Sequence, residues 1–196
     1  MIKVGITGEC GSGKSHCVKL FEKLGVPFFY SDDSARKVIN FNEELKKKII
    51  KEFGQVYGED GLMIPDRIRS IVFVEGGESK LKKLNEITLP YVFEDFDNFC
   101  NEHKNKQYTL SESAILFESG FNKYFHKIIY VYAPEEIRIQ RAFDRSGFSE
   151  KEYRNRMKNQ YPSNSKRNWS NFIIENYDGK DVEEQVNGIH RKILSL

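Results

Sequence analysis

The chain has 196 residues, of which 31% are charged and 39% are hydrophobic, and its formal net charge is +2. This length is enough to bury a core in one domain, with a lid or a small insertion. The charges nearly balance, no apolar stretch reaches about 18 residues, and the start of the sequence has no signal-peptide pattern. We therefore expect a cytoplasmic protein without nucleic-acid or membrane partners.

The N-terminal end of the sequence predicts a strand, a turn, a helix and a second strand. Residues 1–7 alternate apolar and other side chains, which is typical of a strand. A glycine-rich turn at 8–13 follows, and residues 14–24 place apolar side chains at helical spacing before Gly25. Residues 26–30 are rich in aromatic side chains and predict the second strand.

The middle of the sequence is predicted to be helical. Apolar side chains recur at helical spacing in residues 45–53, in 68–72 after a helix start at Pro65, and in 92–100. We expect a bend or an interruption at Pro90, because proline removes a backbone donor and restricts the residue before it.

The C-terminal half returns to alternating strands and helices. Strands are predicted at 108–117, 127–132 and 172–174, and helices at 134–145, after Ser149 and after Asp181. Ser149 with Glu152, and Asp181 with Glu184, have the spacing of a helix capping box. This alternation predicts an α/β fold in which a parallel sheet is flanked by helices on both sides.

The turn after the first strand carries a phosphate-binding motif. The segment Gly8-Glu9-Cys10-Gly11-Ser12-Gly13-Lys14-Ser15 matches the pattern G-x-x-x-x-G-K-[ST]. Its glycines let backbone N–H groups turn towards phosphate oxygens, and the following helix adds partial positive charge at its N-terminus. Lys14 can reach the terminal phosphates, and the Ser15 hydroxyl can bind Mg²⁺. The alternative is a glycine-rich turn without a ligand, and the strand-turn-helix context argues against it.

Two residues inside this motif need their own interpretation. The charge of Glu9 opposes phosphate binding, so we expect its side chain to point to solvent or to pair with a basic neighbour, without a catalytic role. Cys10 is interpreted as a residue that packs the loop. The three cysteines and four histidines have no metal-ligand spacing, and the odd cysteine count fits a reducing compartment.

Several segments outside the loop together resemble one enzyme family. They are Gly25-Val26-Pro27, Ser31-Asp32-Asp33-Ser34-Ala35-Arg36, Leu116-Phe117-Glu118-Ser119-Gly120, Arg141, Arg145-Ser146-Gly147, Gln160, Lys166 and Asn176. With the loop, they resemble the dephospho-CoA kinases over nearly the whole chain.

The resemblance implies a P-loop kinase fold, with a core at 1–40 and 106–196, a helical substrate-binding part at about 41–105 and a lid at about 145–168. It implies that ATP, with Mg²⁺, phosphorylates the ribose 3′-hydroxyl of dephospho-CoA, which is the last step of coenzyme A synthesis. We expect a monomer or a small homo-oligomer. The polar composition of the lid predicts little apolar burial there.

Asp32 is the predicted catalytic base. It follows the carboxyl end of the second strand, where ligands bind in open α/β sheets, and it matches the second acid of an Asp-Ala-Asp segment in the family. A carboxylate there can take the proton of the acceptor hydroxyl. The alternative is that Asp32 caps a helix over 34–40, a role that suits Asp33 at least as well.

Further polar residues are assigned to the nucleotide and its metal. Arg141 and Arg145 are four residues apart, hence on one helix face, where they can brace the transferring phosphates. Glu112, near the end of a strand, is assigned with Ser15 to Mg²⁺, or else faces solvent. The predicted nucleotide-binding residues are Gly8, Gly11, Ser12, Gly13, Lys14, Ser15, His16 and Asn176, with Asn176 placed near the adenine by the resemblance. Glu118 is interpreted as a structural anchor near the mouth of the substrate site.

Three other functions compete with this one. Another small-molecule P-loop kinase, such as a nucleoside monophosphate kinase, would share the loop. A regulatory GTP switch would need an Asn-Lys-x-Asp motif, which the chain lacks. A non-catalytic ATP-binding module would not need the full set of Lys14, Ser15, Asp32 and Arg145.

Overall fold

Parallel strands form one sheet in the order β2-β3-β1-β4-β5. In this computed structural model, which describes residues 1–74, 76–147 and 149–196, the strands are β1 (Ile2–Thr7), β2 (Phe28–Phe29), β3 (Tyr108–Glu112), β4 (Lys127–Tyr132) and β5 (Phe172–Glu175). The α/β fold with a parallel sheet flanked by helices is therefore confirmed. The helices are α1 (Lys14–Lys23), α2 (Ser31–Phe41), α3 (Glu43–Phe53), α4 (Pro65–Val72), α5 (Glu78–Glu102), α6 (Glu135–Ser146), α7 (Glu150–Met157), α8 (Ser163–Trp169) and α9 (Val182–Leu194).

The sheet belongs to a unit formed by Met1–Phe29 and Cys100–Leu196. One face of the sheet packs on α1 and α9, and the apolar cluster there includes Ile6, Phe21 and Ile193, all buried. Burial of each such side chain stabilises the fold by about 1.5–3 kcal/mol. A smaller cluster with Leu116 at its centre covers part of the other face. Because both faces are covered, β1, β3 and β4 are buried over most of their length.

The second unit, Tyr30–Phe99, is helical and has its own apolar cluster. Leu45 and Ile49 of α3 are fully buried there, together with Tyr57. The Tyr57 hydroxyl donates to the carbonyl oxygen of Ile39 at 3.0 Å, which satisfies its polar group inside an apolar setting. Helix α2 belongs to this unit.

The structure narrows one secondary-structure prediction and corrects another. Of the bend or interruption expected at Pro90, the interruption is absent: helix α5 runs through the proline, and apolar side chains on both sides of it, such as Leu84 and Val92, pack against neighbours. The predicted strand at 108–117 ends at Glu112. The chain then forms a turn that satisfies its own backbone, as in the hydrogen bond of 2.9 Å from Ser119 N to Ile115 O.

Both predicted helix caps after residue 145 are present. The Ser149 and Glu152 pair forms a reciprocal capping box, with hydrogen bonds of 2.8 Å from Ser149 N to Glu152 Oε2 and 3.3 Å from Glu152 N to Ser149 Oγ. At the start of α9, Asp181 Oδ1 accepts from Glu184 N at 2.8 Å. These caps fix where α7 and α9 begin.

Candidate active site

The phosphate loop connects the end of β1 to the start of α1, as the motif predicts. Gly11 and Gly13 have φ values of 79° and 87°, which are the left-handed conformations that favour glycine. A Cβ at Gly11 would collide with the carbonyl oxygen of Arg138, and one at Gly13 would collide with the Asn176 amide. The loop is therefore shaped by close packing as well as by its backbone dihedral angles.

Lys14 is the buried cation of this loop. Its side-chain amine donates to the carbonyl oxygen of Glu9 at 3.3 Å and lies 3.9 Å from Glu112 Oε1. Burial lowers the pKa of Lys14 below its usual value, and the charge of Glu112 opposes that shift. Ser15 and His16, in the first turn of α1, are exposed. A desolvated ammonium at a helix N-terminus is suited to bind an anion.

Glu112 lies next to the loop because of the strand register. It is the last residue of β3 and pairs with Ile6 of β1, so its carboxylate stands at the carboxyl edge of the sheet. Its side chain is 29% exposed. The structure therefore brings Glu112 and Lys14 together, although they are far apart in sequence.

Arg141 and Asn176 brace the loop from the side. Arg141 donates to the carbonyl oxygen of Asn176 at 3.0 Å and to that of Gly11 at 3.5 Å. The Asn176 amide donates to the carbonyl oxygen of Ser12 at 2.8 Å. Both residues thus contact the backbone of the predicted nucleotide-binding loop.

Arg145 is on the same helix as Arg141 and reaches the same loop. Helix α6 continues to Ser146, as the spacing of the two arginines requires. The exposed Arg145 guanidinium donates to Cys10 Sγ at 3.6 Å. Phe148, inside the predicted lid, lies outside the described residues.

Asp32 lies in the helical unit, in the first turn of α2. The helix begins at Ser31, so both Asp32 and Asp33 are helical residues, and the alternative interpretation, in which one of them caps a helix starting at 34, does not hold. The physical reason is that acidic side chains are favourable inside a first turn as well as at the cap. Asp33 pairs with Arg36 at 3.5 Å, and the Asp32 side chain is exposed.

Sequence reasoning missed a buried ionic cluster beneath the loop. Glu9 does not point to solvent: it pairs with basic neighbours, at 3.4 Å to Arg138 Nη1 and 3.7 Å to Lys166 Nζ. The Tyr130 hydroxyl also donates to Glu9 Oε2 at 2.7 Å. Arg138 could have been found from its spacing, because it is three residues before Arg141 on the same helix.

Glu118 is the other acid of this cluster. It lies 2.8 Å from Lys166 Nζ and accepts from the backbone N–H of Tyr161 at 2.7 Å. Its predicted part as a structural anchor agrees with these contacts. The predicted low apolar burial of residues 145–168 was wrong in one respect, because Tyr153 is buried and donates to the carbonyl oxygen of Cys10 at 3.4 Å.

Neither a metal cage nor a membrane-spanning helix occurs within the described ranges. No group of three or more histidine, cysteine or acidic side chains there is arranged to hold a metal ion. Among those same residues, no helix is both long and apolar enough to cross a membrane.

Comparison with known proteins gives one consistent family. The family model for dephospho-CoA kinase matches residues 2–181. A dephospho-CoA kinase of Aquifex aeolicus is 28% identical over 195 residues, which are 98% of each chain. One of Porphyromonas gingivalis is 36% identical over 160 residues, which are 82% of this chain and 78% of the relative.

Solved structures agree with this fold. A Thermus thermophilus protein superposes with a TM-score of 0.79 at 26% identity, covering 99% of this chain and 96% of that one. A dephospho-CoA kinase from Campylobacter jejuni has a TM-score of 0.62 at 20% identity, covering 97% and 96%. A shikimate kinase from Acinetobacter baumannii, with a TM-score of 0.53 at 19% identity, covers 100% and 94% and shares the P-loop kinase fold. The chain therefore belongs to the dephospho-CoA kinase family, whose members catalyse the final ATP-dependent step of coenzyme A biosynthesis.

Proposed function

We propose that this chain transfers the γ-phosphoryl group of ATP to the ribose 3′-hydroxyl of dephospho-CoA, with the phosphate loop as its ATP site. The observation that carries the proposal is the buried Lys14, held against Glu9 and Glu112 between the ends of β1 and β3. Burying an ammonium is costly, and phosphate oxygens would supply the anionic partner that it needs. Lys14 would then neutralise the charge that develops on the transferring group.

A magnesium ion fits the oxygen donors beside Lys14. Mg²⁺ is usually held by one or two protein oxygens together with substrate phosphates, rather than by a cage of side chains. Ser15 and Glu112 offer one hydroxyl and one carboxylate there, next to a loop shaped for phosphates. When bound, the ion supplies charge neutralisation on the phosphate oxygens.

Asp32 is the proposed base for the acceptor hydroxyl. It follows β2 by three residues in the chain, and its carboxylate is exposed. Phosphoryl transfer needs the acceptor hydroxyl to be oriented and to lose its proton, and a carboxylate can do both. Asp33 is already paired with Arg36, so it is less suited to this role.

Arg141 and Arg145 have different proposed roles at the phosphates. Arg141 donates to the carbonyl oxygen of Gly11 in the loop and to that of Asn176 after β5, so it would orient the loop and share its remaining N–H groups with the nucleotide. Arg145 is exposed and donates to the Cys10 sulfur at 3.6 Å, so it is available to move onto the phosphates. A guanidinium there would stabilise the transition-state charge.

The remaining assignments concern larger parts of the chain. We propose that the helical part at about 41–105 binds the acceptor and that residues 145–168 close as a lid over ATP, which would exclude water from the reaction. We also propose that Asn176 contacts the adenine, that Gly8 and His16 belong to the nucleotide site, and that the protein works in the cytoplasm as a monomer or small homo-oligomer.

A coupled ADP-release assay tests the proposed function. Purified protein would be given ATP, Mg²⁺ and dephospho-CoA, with AMP, CMP and dTMP in parallel as alternative acceptors. We expect rapid ADP release only with dephospho-CoA and a product heavier by one phosphoryl group in the mass spectrum. Faster turnover of a nucleoside monophosphate would favour the competing kinase function. Nucleotide binding without turnover of any acceptor would favour a non-catalytic module.

A further inference from the structure

The buried cluster beneath the phosphate loop consists of two acids and two bases. Glu9 and Glu118 are the acids and Arg138 and Lys166 the bases, so the formal charges cancel. Their side chains are 3%, 13%, 8% and 0% exposed, respectively. In a cluster with so little solvent exposure each charge needs an oppositely charged partner, because an unpaired buried charge is strongly destabilising.

Glu9 connects this cluster to Lys14 through two different parts of one residue. Its carboxylate accepts a hydrogen bond from the Tyr130 hydroxyl and forms ion pairs with Arg138 and Lys166. Its main-chain carbonyl oxygen accepts from Lys14 Nζ at 3.3 Å and from Ser12 N at 3.1 Å. A shift of the Glu9 side chain would therefore displace the Glu9 carbonyl oxygen, which accepts the hydrogen bond from the Lys14 ammonium.

The cluster is poorly explained as a source of stability. Within the described parts of the chain, Glu9 Oε1, Glu118 Oε2 and Arg138 Nε are buried and have no hydrogen-bond partner. A buried ionic group with incomplete hydrogen bonding is often no more stable than apolar side chains of the same volume. Buried polar groups left in this state call for an explanation other than packing.

We propose that Glu9 is a positioning residue for Lys14, with its buried carboxylate fixing the first turn of the phosphate loop and Lys166 balancing its charge. The proposal rests on the proposed role of Lys14 at the phosphates of ATP. Lys166 comes from α8 and also binds Gln160 at 2.9 Å, so the balancing charge is supplied by the segment that carries the proposed lid. A negative charge in a phosphate loop is thereby turned inwards, where it faces cations instead of the nucleotide.

The first test replaces the charge of Glu9 and keeps its shape. Glu9→Gln retains an oxygen that can accept from Tyr130 but leaves Arg138 and Lys166 opposite Glu118 alone. Because misplacement of a catalytic group by about 1 Å can cost up to about a hundredfold in rate, we expect kcat/KM for ATP to fall about tenfold or more. The KM for dephospho-CoA should change less than about twofold.

A pH profile separates positioning from a purely structural role. The charge of Glu9 is among those that help Lys14 to keep its proton. In Glu9→Gln, the pH at which ATP affinity is lost should therefore move to a lower value than in the wild type. A merely structural role would reduce the amount or the stability of folded enzyme and leave this profile of the folded fraction unmoved.

Restoring neutrality provides the second test. Lys166→Met removes the balancing charge, and the double variant Glu9→Gln with Lys166→Met again has one acid and one base. We expect the double variant to lose less kcat/KM for ATP than the product of the two single losses, by about fivefold or more. Lys192→Met, an exposed lysine of α9, is the matched control and should show no such coupling to Glu9→Gln.

Two outcomes would overturn the proposal. One is a folded Glu9→Gln protein with the wild-type kcat/KM for ATP and the wild-type pH profile. The other is an additive double variant. Should Glu9→Gln fail to fold, Tyr130→Phe removes only the hydroxyl that holds Glu9 Oε2, and an unchanged kcat/KM for ATP there would refute the positioning role. Failure of the proposed function itself would appear instead as wild-type protein that does not phosphorylate dephospho-CoA, and failure of the proposed role of Lys14 as full activity of Lys14→Ala.

Discussion

The two units of the chain place their charges in opposite ways. In the sheet unit, Glu9, Lys14, Arg138 and Lys166 are all buried around the phosphate loop. In Tyr30–Phe99, no charged residue among those described is buried, and ion pairs such as Lys48–Glu44, at 2.7 Å, have side chains that are 52% and 69% exposed. Exposed pairs of this kind add little stability, whereas buried charges need specific partners.

This difference indicates where in this protein a buried charge has a chemical role. The helical unit is held by its apolar cluster and uses charge mainly at its surface. The sheet unit buries cations, at a cost in desolvation free energy, around the loop between β1 and α1. Variants in the two units should therefore fail in different ways.

The largest expected effect is that of Lys14→Ala. Loss of the buried ammonium should lower phosphoryl transfer by about a thousandfold or more, because preorganised charge at the transferring group is lost. The variant should be at least as stable as the wild type, since it no longer buries a desolvated amine. ADP release would measure the first effect and urea unfolding the second.

Undiminished turnover of a folded Lys14→Ala protein would contradict the assignment of this loop to catalysis. Equal loss of activity and of folded protein would show that Lys14 is a structural cation. Either result would show that the buried charge of the sheet unit does not have the chemical role that distinguishes it from the exposed charges of the helical unit.

The next largest effect is expected in the helical unit, at Asp32. Asp32→Asn should lower kcat by about a hundredfold or more, as for loss of a general base, and leave the KM for ATP nearly unchanged. Steady-state kinetics with each substrate varied in turn would show this split between kcat and KM.

Asp33→Asn is the matched control for Asp32. It changes the neighbouring carboxylate in the same turn of α2, which is already paired with Arg36, and should have a much smaller effect. If Asp33→Asn proved the more damaging change, the assignment of the base would be off by one residue.

The sequence predicted those parts of the structure that depend on residues close together in the chain. The β4 bounds, the loop conformation and the caps at Ser149 and Asp181 all follow from short-range patterns. Pro90 shows the limit of such rules, because tertiary packing along α5 overrides a local breaker.

The buried cluster lay beyond local rules for a different reason. Glu9 and Lys166 are 157 positions apart in the chain, and only the sheet order brings them together. A lone acid inside a phosphate loop showed that a partner was needed, but it did not show which of the 31 basic residues would supply it.

Hydrogen exchange should test the proposed lid within the sheet unit. An ATP analogue together with dephospho-CoA should slow backbone exchange in α7, where Arg154 and Glu150 form an exposed pair and Tyr153 supplies the main buried contact. The change should be smaller in α9, which packs on the sheet in either state.

The control in this experiment is the ligand-free protein measured over the same time course. Identical exchange in residues 145–168 with and without ligands would rule out a lid, and Arg145 would then be a surface charge. Slowing confined to the start of α7 would locate the moving part and leave α8 as a fixed anchor around Lys166.

The smallest predicted effect concerns a half-buried histidine outside the loop. His190 of α9 lies with Nδ1 at 2.8 Å from the Tyr108 hydroxyl, and burial, with a smaller contribution from Arg191, lowers its pKa below 6.5. The unfolded chain therefore binds a proton that the folded chain does not bind at the same pH, so stability should fall as pH drops below about 6.5 and rise to a plateau above it. Urea unfolding between pH 5 and 8 (roughly the histidine range) would detect this slope, and His190→Gln should flatten it relative to His16→Gln, which changes an exposed imidazole. An equal slope in both variants would show that the pKa of His190 is not lowered in the folded protein.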